Sequence, residues 1–151
     1  MNIRKLTRED YSDILVHWWK DWGWEKPPAL DILPDQGESG VIIYQEDIPV
    51  CAGFIYTSNA SLCWISWIVS NKKYTDRKKR KESISALIET LSYIGKNLGA
   101  RYCYINFDSP HLIKPSEELG FVKGNITQEM LKIWDKQQPV QPEQPEQPEQ
   151  L

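Results

Sequence analysis

Residues 62–107 decide the fold: LCWISWIVSNKKYTDRKKRKESISALIETLSYIGKNLGARYCYINF. The stretch opens on a mainly apolar run, 62–69, which is typical of a buried strand. After a basic segment, apolar residues recur at helical spacing from Ile84 to Leu98, and Gly99 follows where helices commonly end. Residues 101–107 then alternate in the manner of a second strand. This order predicts a β-α-β crossover within one sheet.

The rest of the chain predicts further strands joined to this unit by short connections. The polar separators 45–47 and 58–61 have the length of antiparallel hairpin turns. The predicted elements are, in chain order, strand 2–6, helix 7–20, strands 41–44, 50–56 and 62–69, helix 84–98, strand 101–107, helix 112–119 and a strand pair within 121–134. This order, β-α-β-β-β-α-β-α-β-β, is typical of an α/β (α+β) mixed sheet with helices on its faces.

Composition and charge exclude several classes of protein. The chain has 151 residues, 26% of them charged, and a formal net charge of −3, which argues against a global attraction to nucleic acid. The apolar run 62–69 is far shorter than the ~20 residues that a membrane span needs. The N-terminus carries no apolar signal core, so we expect a cytoplasmic protein. Cys51, Cys63 and Cys103 lack metal-site spacing, and we expect three reduced core thiols and no metal.

The composition changes abruptly after Asp135, where the sequence continues KQQPVQPEQPEQPEQL. Proline recurs every third residue, which matches the three residues per turn of polyproline II. A segment with so few apolar groups cannot bury enough surface to fold. We therefore expect one domain over 1–135 and an extended, disordered tail over 136–151. The tail is either a solubilising extension or a P-x-x-P docking motif.

Basic residues crowd the segment before the 84–98 helix. Seven of the 18 Lys and Arg residues lie there: Lys72, Lys73, Arg77, Lys78, Lys79, Arg80 and Lys81. A helix N-terminus already carries partial positive charge and free N–H donors, so cations there are unfavourable unless an anion binds. The pattern predicts an anion site, with a pyrophosphate as the simplest candidate. The alternative is a solvated basic loop.

Two short motifs carry a resemblance to a known family. Arg80–Ser85 (RKESIS) follows the pattern R/Q-x-x-G-x-G/A with both glycines replaced by serine, and Ser109–Phe121 (SPHLIKPSEELGF) ends on the leucine-glycine-phenylalanine of a second motif. In this context of strand, loop and helix, the chain from Val41 to Trp134 resembles the GNAT-type N-acetyltransferases. The resemblance implies a GNAT-type fold with central strands that splay apart, and acetyl-CoA as cosubstrate.

The resemblance also implies where acetyl-CoA binds. Its pantetheine arm pairs with strand backbone near Trp67, Ile68 and Val69 in such a fold. The implied cofactor-binding residues are Ile68, Val69, Arg77, Lys79, Arg80, Ser83, Ser85 and Ser109. Ser116 stands where the family commonly has the tyrosine that protonates the CoA thiolate, and a serine hydroxyl is a far weaker acid than a phenol.

The family has no fixed general base. Candidates in this chain are Glu46, Asp47, Asp108 and His111, of which His111 carries an imidazole, a side chain commonly used for proton transfer near neutrality. His111 and Ser116 are therefore the candidate catalytic residues. A surface histidine without a catalytic role is the alternative interpretation of His111.

Four tryptophans fall within seven residues, at Trp18, Trp19, Trp22 and Trp24. One face of a short helix cannot bury all four indoles, so we expect one or two to be exposed. Three interpretations stay open: core packing, a homodimer contact, or an aromatic wall facing the acceptor, with Trp18, Trp22 and Trp24 as its candidates.

These features predict an acyl-CoA-dependent N-acetyltransferase that transfers an acetyl group to a small-molecule or protein amine. A different class also fits, a GNAT-fold protein without catalysis that binds CoA or a protein partner. Nucleic-acid binding through the basic segment is a third interpretation, which the acidic remainder of the chain disfavours.

Overall fold

The computed structural model describes residues 1–107 and 109–134, and these form one five-stranded mixed sheet in the order β1-β2-β3-β4-β5. The strands are β1 Asn2–Lys5, β2 Gly40–Gln45, β3 Ile48–Tyr56, β4 Leu62–Ser70 and β5 Tyr102–Ile105. Strands β1 to β4 pair antiparallel, and β5 pairs parallel to β4. The mixed sheet and its crossover predicted from the sequence are confirmed.

Helical segments cover both faces of the sheet. They are α1 Arg8–Asp10, a π-helical turn Tyr11–Leu15, α2 Val16–Asp21, α3 Arg77–Asn97 and α4 Ile113–Glu118, with short 3-10 helices at Leu30–Ile32, Pro34–Gly37 and Pro110–Leu112. The predicted first helix is confirmed as one continuous run from Arg8 to Asp21 that includes the π turn.

Two hydrophobic clusters lie on the opposite faces of the sheet. Alternating strand residues divide between them, so that Ile43 faces α3 and its neighbour Ile42 faces α1 and α2. The α3 cluster contains Leu87, Ile88 and Leu91 together with Cys51 and Cys63, and the other cluster contains three of the tryptophans. The core thus explains why the β-α-β unit and the N-terminal helix both attach to one sheet.

The three cysteines are free, with Cys51 and Cys63 buried and Cys103 partly exposed. Burial raises the pKa of the Cys51 thiol, and burial together with the neighbouring Cys63 raises the pKa of Cys103 to about 12. Protonated thiols are poor nucleophiles and poor metal ligands. Their chemistry is therefore that of core packing, and the described residues contain no cluster of His, Cys, Asp and Glu that could hold a metal.

Asp10 connects the first helix to the first strand. The Arg4 guanidinium donates to both of its carboxylate oxygens, at 2.8 and 2.9 Å, and the Thr7 amide donates to Oδ2 at 2.7 Å. Burial alone would raise the pKa of Asp10, but the hydrogen bonds from Arg4 and Thr7 outweigh it and hold the pKa below its usual value. Asp10 is therefore a structural carboxylate, ionised at neutral pH.

We expect Asp10→Asn to lower the free energy of unfolding at pH 7 by about 1–3 kcal/mol, because a charge-assisted pair and a helix cap are lost. When folding lowers the pKa of a carboxylate, that carboxylate stabilises the folded state at pH values above its unfolded pKa. This stabilisation is lost as the pH falls through the folded pKa. The difference in the free energy of unfolding between the two proteins should therefore reach its full value above about pH 4 and decrease below it. Urea unfolding at a series of pH values measures it, and a difference independent of pH would contradict the role given to Asp10.

Two predictions about secondary structure are wrong, the start of one helix and the final pair of strands. Helix α3 begins at Arg77 and not near Ser83, because the Asp76 side chain accepts a hydrogen bond from the Lys79 amide at 3.1 Å and caps the helix. The predicted final strand pair is absent from the described residues, since 121–134 have no regular secondary structure. Val122, Ile126 and Met130 are exposed and are not covered by any of the described residues.

No helix among the described residues is long and apolar enough to cross a membrane. The tail predicted over 136–151, and the domain boundary at 135, lie outside the described residues.

Candidate active site

The central feature of the candidate site is an opening between β4 and β5. The two strands pair only from Leu62 with Tyr102 to Ile65 with Ile105. Strand β4 continues to Ser70, paired with β3 on its other side alone. Among the described residues, the backbone of residues 66–69 therefore has no strand partner on the side of the opening, as in an edge strand.

A β-bulge in β4 lies beside this opening. Ser66 pairs with Phe54 and Val69 with Ala52, so two β4 residues, Trp67 and Ile68, oppose a single residue of β3. Trp67 has a φ of 59°, a left-handed conformation that is unfavourable for a bulky side chain. Bulges bend a strand and increase its twist, and backbone strain of this kind is often kept at functional sites.

The Trp67 side chain holds the bulge in place. Its Nε1 donates to the Tyr56 hydroxyl at 2.7 Å, and that hydroxyl donates to the carbonyl of Ile32 at 2.7 Å. The Trp67 ring also packs edge-on against Trp24, with ring centroids 6.1 Å apart. Burial raises the pKa of Tyr56 to about 12, so its phenol is a fixed structural donor and acceptor at neutral pH. These contacts offset the strain of the bulge.

The residues predicted to pair with pantetheine lie at this open edge. Ile68 and Val69 are both buried, one on each face of the sheet, so their side chains belong to the two cores. Only main-chain groups of this stretch border the opening. The sequence at these two positions therefore follows core packing, and their pairing with pantetheine stays a prediction.

Helix α3 begins directly after β4 and the loop 71–76, and brings its N-terminus to the same end of the sheet. The first main-chain hydrogen bond within the helix runs from the Arg80 amide to the Asp76 carbonyl, at 2.9 Å. The amides of Arg77 and Lys78 precede it and are the free donors of a helix N-terminus. The helix N-terminus to which the predicted anion site would belong therefore lies at Arg77 and not at Ser83, and anion binding there stays a prediction.

Arg80 is directed toward the protein and away from solvent. Its Nη2 donates to the carbonyls of Asn71 at 2.9 Å and Lys72 at 3.3 Å, and also to the carbonyl of Tyr74. A guanidinium suits this task because it stays charged and donates several hydrogen bonds. Arg80, expected as a phosphate ligand, fixes the loop that connects β4 to α3, and its role in phosphate binding stays a prediction.

Ser83 and Ser85 lie in the second turn of α3 and do not share a face. Ser83 is buried, donates to the Lys79 carbonyl at 2.7 Å and accepts from Gln45 Nε2 at 3.0 Å. Ser85 instead lines a shallow groove toward Glu118 at the end of α4. The expected serine pair is therefore not brought together, because α3 starts earlier than the motif predicts.

The segment after β5 contains the remaining candidates. Ser109 and Ser116 are buried, and the Ser116 hydroxyl has no hydrogen-bond partner among the described residues. His111 is exposed in the 3-10 helix Pro110–Leu112, and Asp108 lies outside the described residues. His111 is thus accessible to solvent and a ligand, whereas the Ser116 hydroxyl is enclosed.

Glu46 and Asp47, the other two base candidates, form the exposed turn between β2 and β3. Cys51 of β3 pairs with Ser70 at the end of β4, so this turn lies at the same end of the sheet as the opening. Their roles as bases stay predictions.

The tryptophans divide between core and surface. Trp18, Trp19 and Trp24 are buried in the cluster on the α1 and α2 face. Trp18 and Trp24, expected as candidates for an acceptor wall, are instead core residues. Trp22 is partly exposed, donates from Nε1 to the Ser70 carbonyl at 2.8 Å, and lies under the Lys72 ammonium. Of the three candidates, Trp22 alone combines an exposed surface with a contact to the end of β4.

Two residues of the site were missed from the sequence. Asp76 is the N-cap of α3, and an aspartate directly before a run of helix formers could have located the helix start. Tyr56 anchors the bulge through Trp67, and no local signal indicates this, because the two residues lie on different strands.

Comparisons with known proteins identify the fold. No family model and no curated protein sequence matches the chain. Solved structures do match, among them glucosamine-6-phosphate N-acetyltransferase from Arabidopsis thaliana, 15% identical over 89% of this chain and 98% of that chain, with a TM-score of 0.58. An aminoglycoside acetyltransferase from an uncultured soil metagenomic sample, in complex with trehalose, is 10% identical over 88% of this chain and 96% of that chain, with a TM-score of 0.63.

An acetyltransferase of Trypanosoma brucei is 18% identical over 87% of this chain and 99% of that chain, with a TM-score of 0.55. At such identities the likeness concerns the backbone, and it extends over nearly the whole length of each of these proteins. The chain has the fold of the GNAT-type acetyltransferases.

Proposed function

We propose that the chain is an acyl-CoA-dependent N-acetyltransferase that transfers the acetyl group of acetyl-CoA to an amine. The observation that carries the proposal is the open edge of β4 over residues 66–69, which leads within one loop to the N-terminus of α3. An extended pantetheine arm fits an open strand edge, and a pyrophosphate fits free amides at a helix N-terminus.

The charge at the α3 N-terminus supports this placement. Arg77, Lys78 and Lys79 are exposed in the first turn, where unneutralised cations are unfavourable. A pyrophosphate at the Arg77 and Lys78 amides would neutralise them. Arg80 would contribute indirectly, by fixing the loop carbonyls behind the site.

Few side chains are needed for this reaction. The amine nitrogen attacks the thioester carbonyl carbon, the C–N bond forms, the C–S bond breaks, and the CoA thiolate leaves. Main-chain N–H groups of β4 would polarise the carbonyl, and positioning of the two reactants supplies much of the rate enhancement. His111 is the candidate acceptor of the amine proton. Because Ser116 is enclosed and its hydroxyl is too weak an acid, solvent water would protonate the thiolate.

Binding of acetyl-CoA is the first test. Ligand at about 100 times its dissociation constant should add roughly 2.7 kcal/mol of stability, which raises the melting temperature by several degrees. Differential scanning fluorimetry with acetyl-CoA, CoA and pantetheine measures this shift. No shift at millimolar acetyl-CoA would sink the proposal.

Charge reversal at the helix N-terminus tests the pyrophosphate position. Arg77→Glu with Lys78→Glu should weaken CoA binding about tenfold or more, while stability holds or rises, because acidic residues are favoured in the first turn of a helix. Lys96→Glu with Lys114→Glu is the matched control, since it makes the same change of charge at exposed positions elsewhere. Isothermal titration calorimetry should show unchanged affinity for the control.

A second function is favoured by two contacts. The Asp76 carboxylate already caps α3, and the Arg80 guanidinium is used within the protein, so fewer donors are left for a phosphate. Both contacts fit a catalytically inactive GNAT-fold scaffold that binds CoA or a protein partner. Release of free CoA thiol in the presence of a panel of amines, sugars and peptides separates the two: binding without thiol release would favour the scaffold.

A further inference from the structure

An aromatic surface, formed by Trp64, Tyr102 and Tyr104, lies on the face of β4 and β5 opposite to α3. The neighbours of these residues along each strand belong to the α3 cluster, so the three side chains lie on the other face. Trp64 pairs with Tyr104 on β5 and with Tyr56 on β3. Trp64 is 37%, Tyr102 58% and Tyr104 65% exposed. Helices α1 and α2, which cover the rest of this face, thus leave the aromatic surface open among the described residues.

The Trp64 indole is held in one orientation. It stacks on the Tyr56 ring with centroids 5.1 Å apart, and its Nε1 donates to Asn106 Oδ1 at 2.8 Å. Tyr56 is itself fixed by its hydrogen bonds with Trp67 and with the carbonyl of Ile32. An aromatic side chain that is fixed in this way and still exposed offers a rigid flat contact area at little cost in conformational entropy.

The aromatic surface borders the opening between β4 and β5. The last paired residues are Ile65 and Ile105, one position after Trp64 and Tyr104. Ser66 is the next β4 residue on the same face, because it pairs with Phe54 of the α1 and α2 cluster. Two residues of a strand span about 7 Å. A ring on Trp64 and Tyr104 would therefore hold a short side chain over the open edge of β4.

The charge beside this surface is negative. The Tyr56 hydroxyl donates to the Ile32 carbonyl, which connects the surface to the segment 25–38. That segment carries four acidic residues and one basic residue, namely Glu25, Asp31, Asp35, Glu38 and Lys26. Such a segment favours a protonated amine over an anionic ligand. The Arg101 guanidinium lies 5.5 Å from the Tyr102 ring centroid, at the end of the surface away from the opening, so Trp64 and Tyr104 are the rings left for a ligand.

We propose that the acceptor is a primary amine carried on a six-membered ring, and that Trp64 and Tyr104 bind this ring. The inference rests on the acetyltransferase proposed above. An aromatic ring and the C–H face of a saturated sugar ring are both flat and apolar, so both bury against aromatic side chains. The amine, after losing one proton, takes the acetyl group from sulfur to nitrogen, and CoA leaves as the free thiol. A linear polyamine carries the same charge but has no flat face for Trp64 to bind.

Turnover with matched amines is the first measurement. Release of CoA thiol from acetyl-CoA is followed with phenethylamine, which has an aromatic ring, with glucosamine, which has a saturated ring, and with spermidine, which has none. At least one ring amine should give a kcat/KM about tenfold or more above that of spermidine, since ring stacking adds binding energy. The better of the two identifies the kind of ring.

Substitution of the aromatic surface tests the residues. Trp64→Ala should raise the KM for the preferred ring amine about tenfold, and Trp64→Phe should recover part of the loss. Tyr104→Ser removes a more exposed side chain and should raise the same KM to a smaller extent with the melting temperature retained. The KM for acetyl-CoA and the rate with spermidine should not change. Tyr93→Ala is the matched control, because Tyr93 is an equally exposed aromatic residue on α3.

Calorimetric titration of the ring amines into the protein saturated with CoA separates this inference from the proposed activity. Binding that Trp64→Ala abolishes, without thiol release from acetyl-CoA, would support the ring site and contradict the acetyltransferase. Thiol release with spermidine as fast as with both ring amines, and unaffected by Trp64→Ala and Tyr104→Ser, would refute the ring site and leave the acetyltransferase standing. No binding of either ring amine at millimolar concentration would equally overturn the ring site.

Discussion

Gly40→Ala should destabilise the domain by at least about 3 kcal/mol, above the usual cost of overpacking a core. Gly40 opens β2 and pairs with Phe54 of β3. A Cβ at Gly40 would lie 2.2 Å from the Gly53 carbonyl oxygen, and also 2.9 Å from a Leu6 methyl group. The carbonyl belongs to the backbone of a central strand, so relief requires β2 and β3 to separate.

Guanidinium unfolding followed by tryptophan fluorescence measures this loss. Gly124→Ala is the matched control, because a Cβ there meets no atom within 4 Å and Gly124 does not have a left-handed φ. It should change the free energy of unfolding by less than about 0.5 kcal/mol. Equal effects of the two substitutions would show that β2 and β3 do not approach each other as described.

Arg80→Ala should cost about 2–4 kcal/mol, because three main-chain carbonyls of the loop after β4 lose a charged donor. Arg80→Lys should recover part of the loss, since an ammonium also carries several donors on one nitrogen, but on a side chain of different reach. Lys79→Ala is the matched control. Its side chain is exposed one residue earlier in the same helical turn, so stability should stay within about 0.5 kcal/mol of the unsubstituted chain.

The same variants separate a structural from a ligand-binding role of Arg80. If Arg80 fixes the loop, Arg80→Ala lowers the denaturation midpoint in the absence of any ligand. If Arg80 instead contacts a phosphate, stability without ligand holds and the shift produced by CoA disappears. The second outcome would contradict the hydrogen bonds described for its guanidinium.

Local sequence patterns determined most of the fold. The polar separators 45–47 and 58–61 and the apolar run 62–69 indicated the strands, and the spacing of Leu87, Ile88 and Leu91 indicated the helix between β4 and β5. Such patterns are readable because a strand or helix repeats its burial every two or 3.6 residues, whatever the rest of the chain does. The strand-helix-strand order then left a mixed sheet as the simplest arrangement.

Helix boundaries and the site were decided by contacts that no local pattern contains. Helix α3 starts at Arg77 because one carboxylate, that of Asp76, caps it, and apolar spacing begins only two turns later. Ser83 matched a phosphate motif, but its hydroxyl is bonded to Gln45, 38 residues earlier in the chain. The bulge beside the opening depends on the hydrogen bond that Trp67 donates to Tyr56 on the neighbouring strand β3.

The sequence by itself thus determined the class of fold and the order of the strands along the chain. It could do so because each strand or helix has its own periodic pattern of burial. The tertiary structure decided which main-chain groups stay unpaired beside β4 and which cations are already used by the protein. It also decided that Val122, Ile126 and Met130 are exposed. These properties depend on which distant residues meet, and a linear pattern does not encode distances between segments.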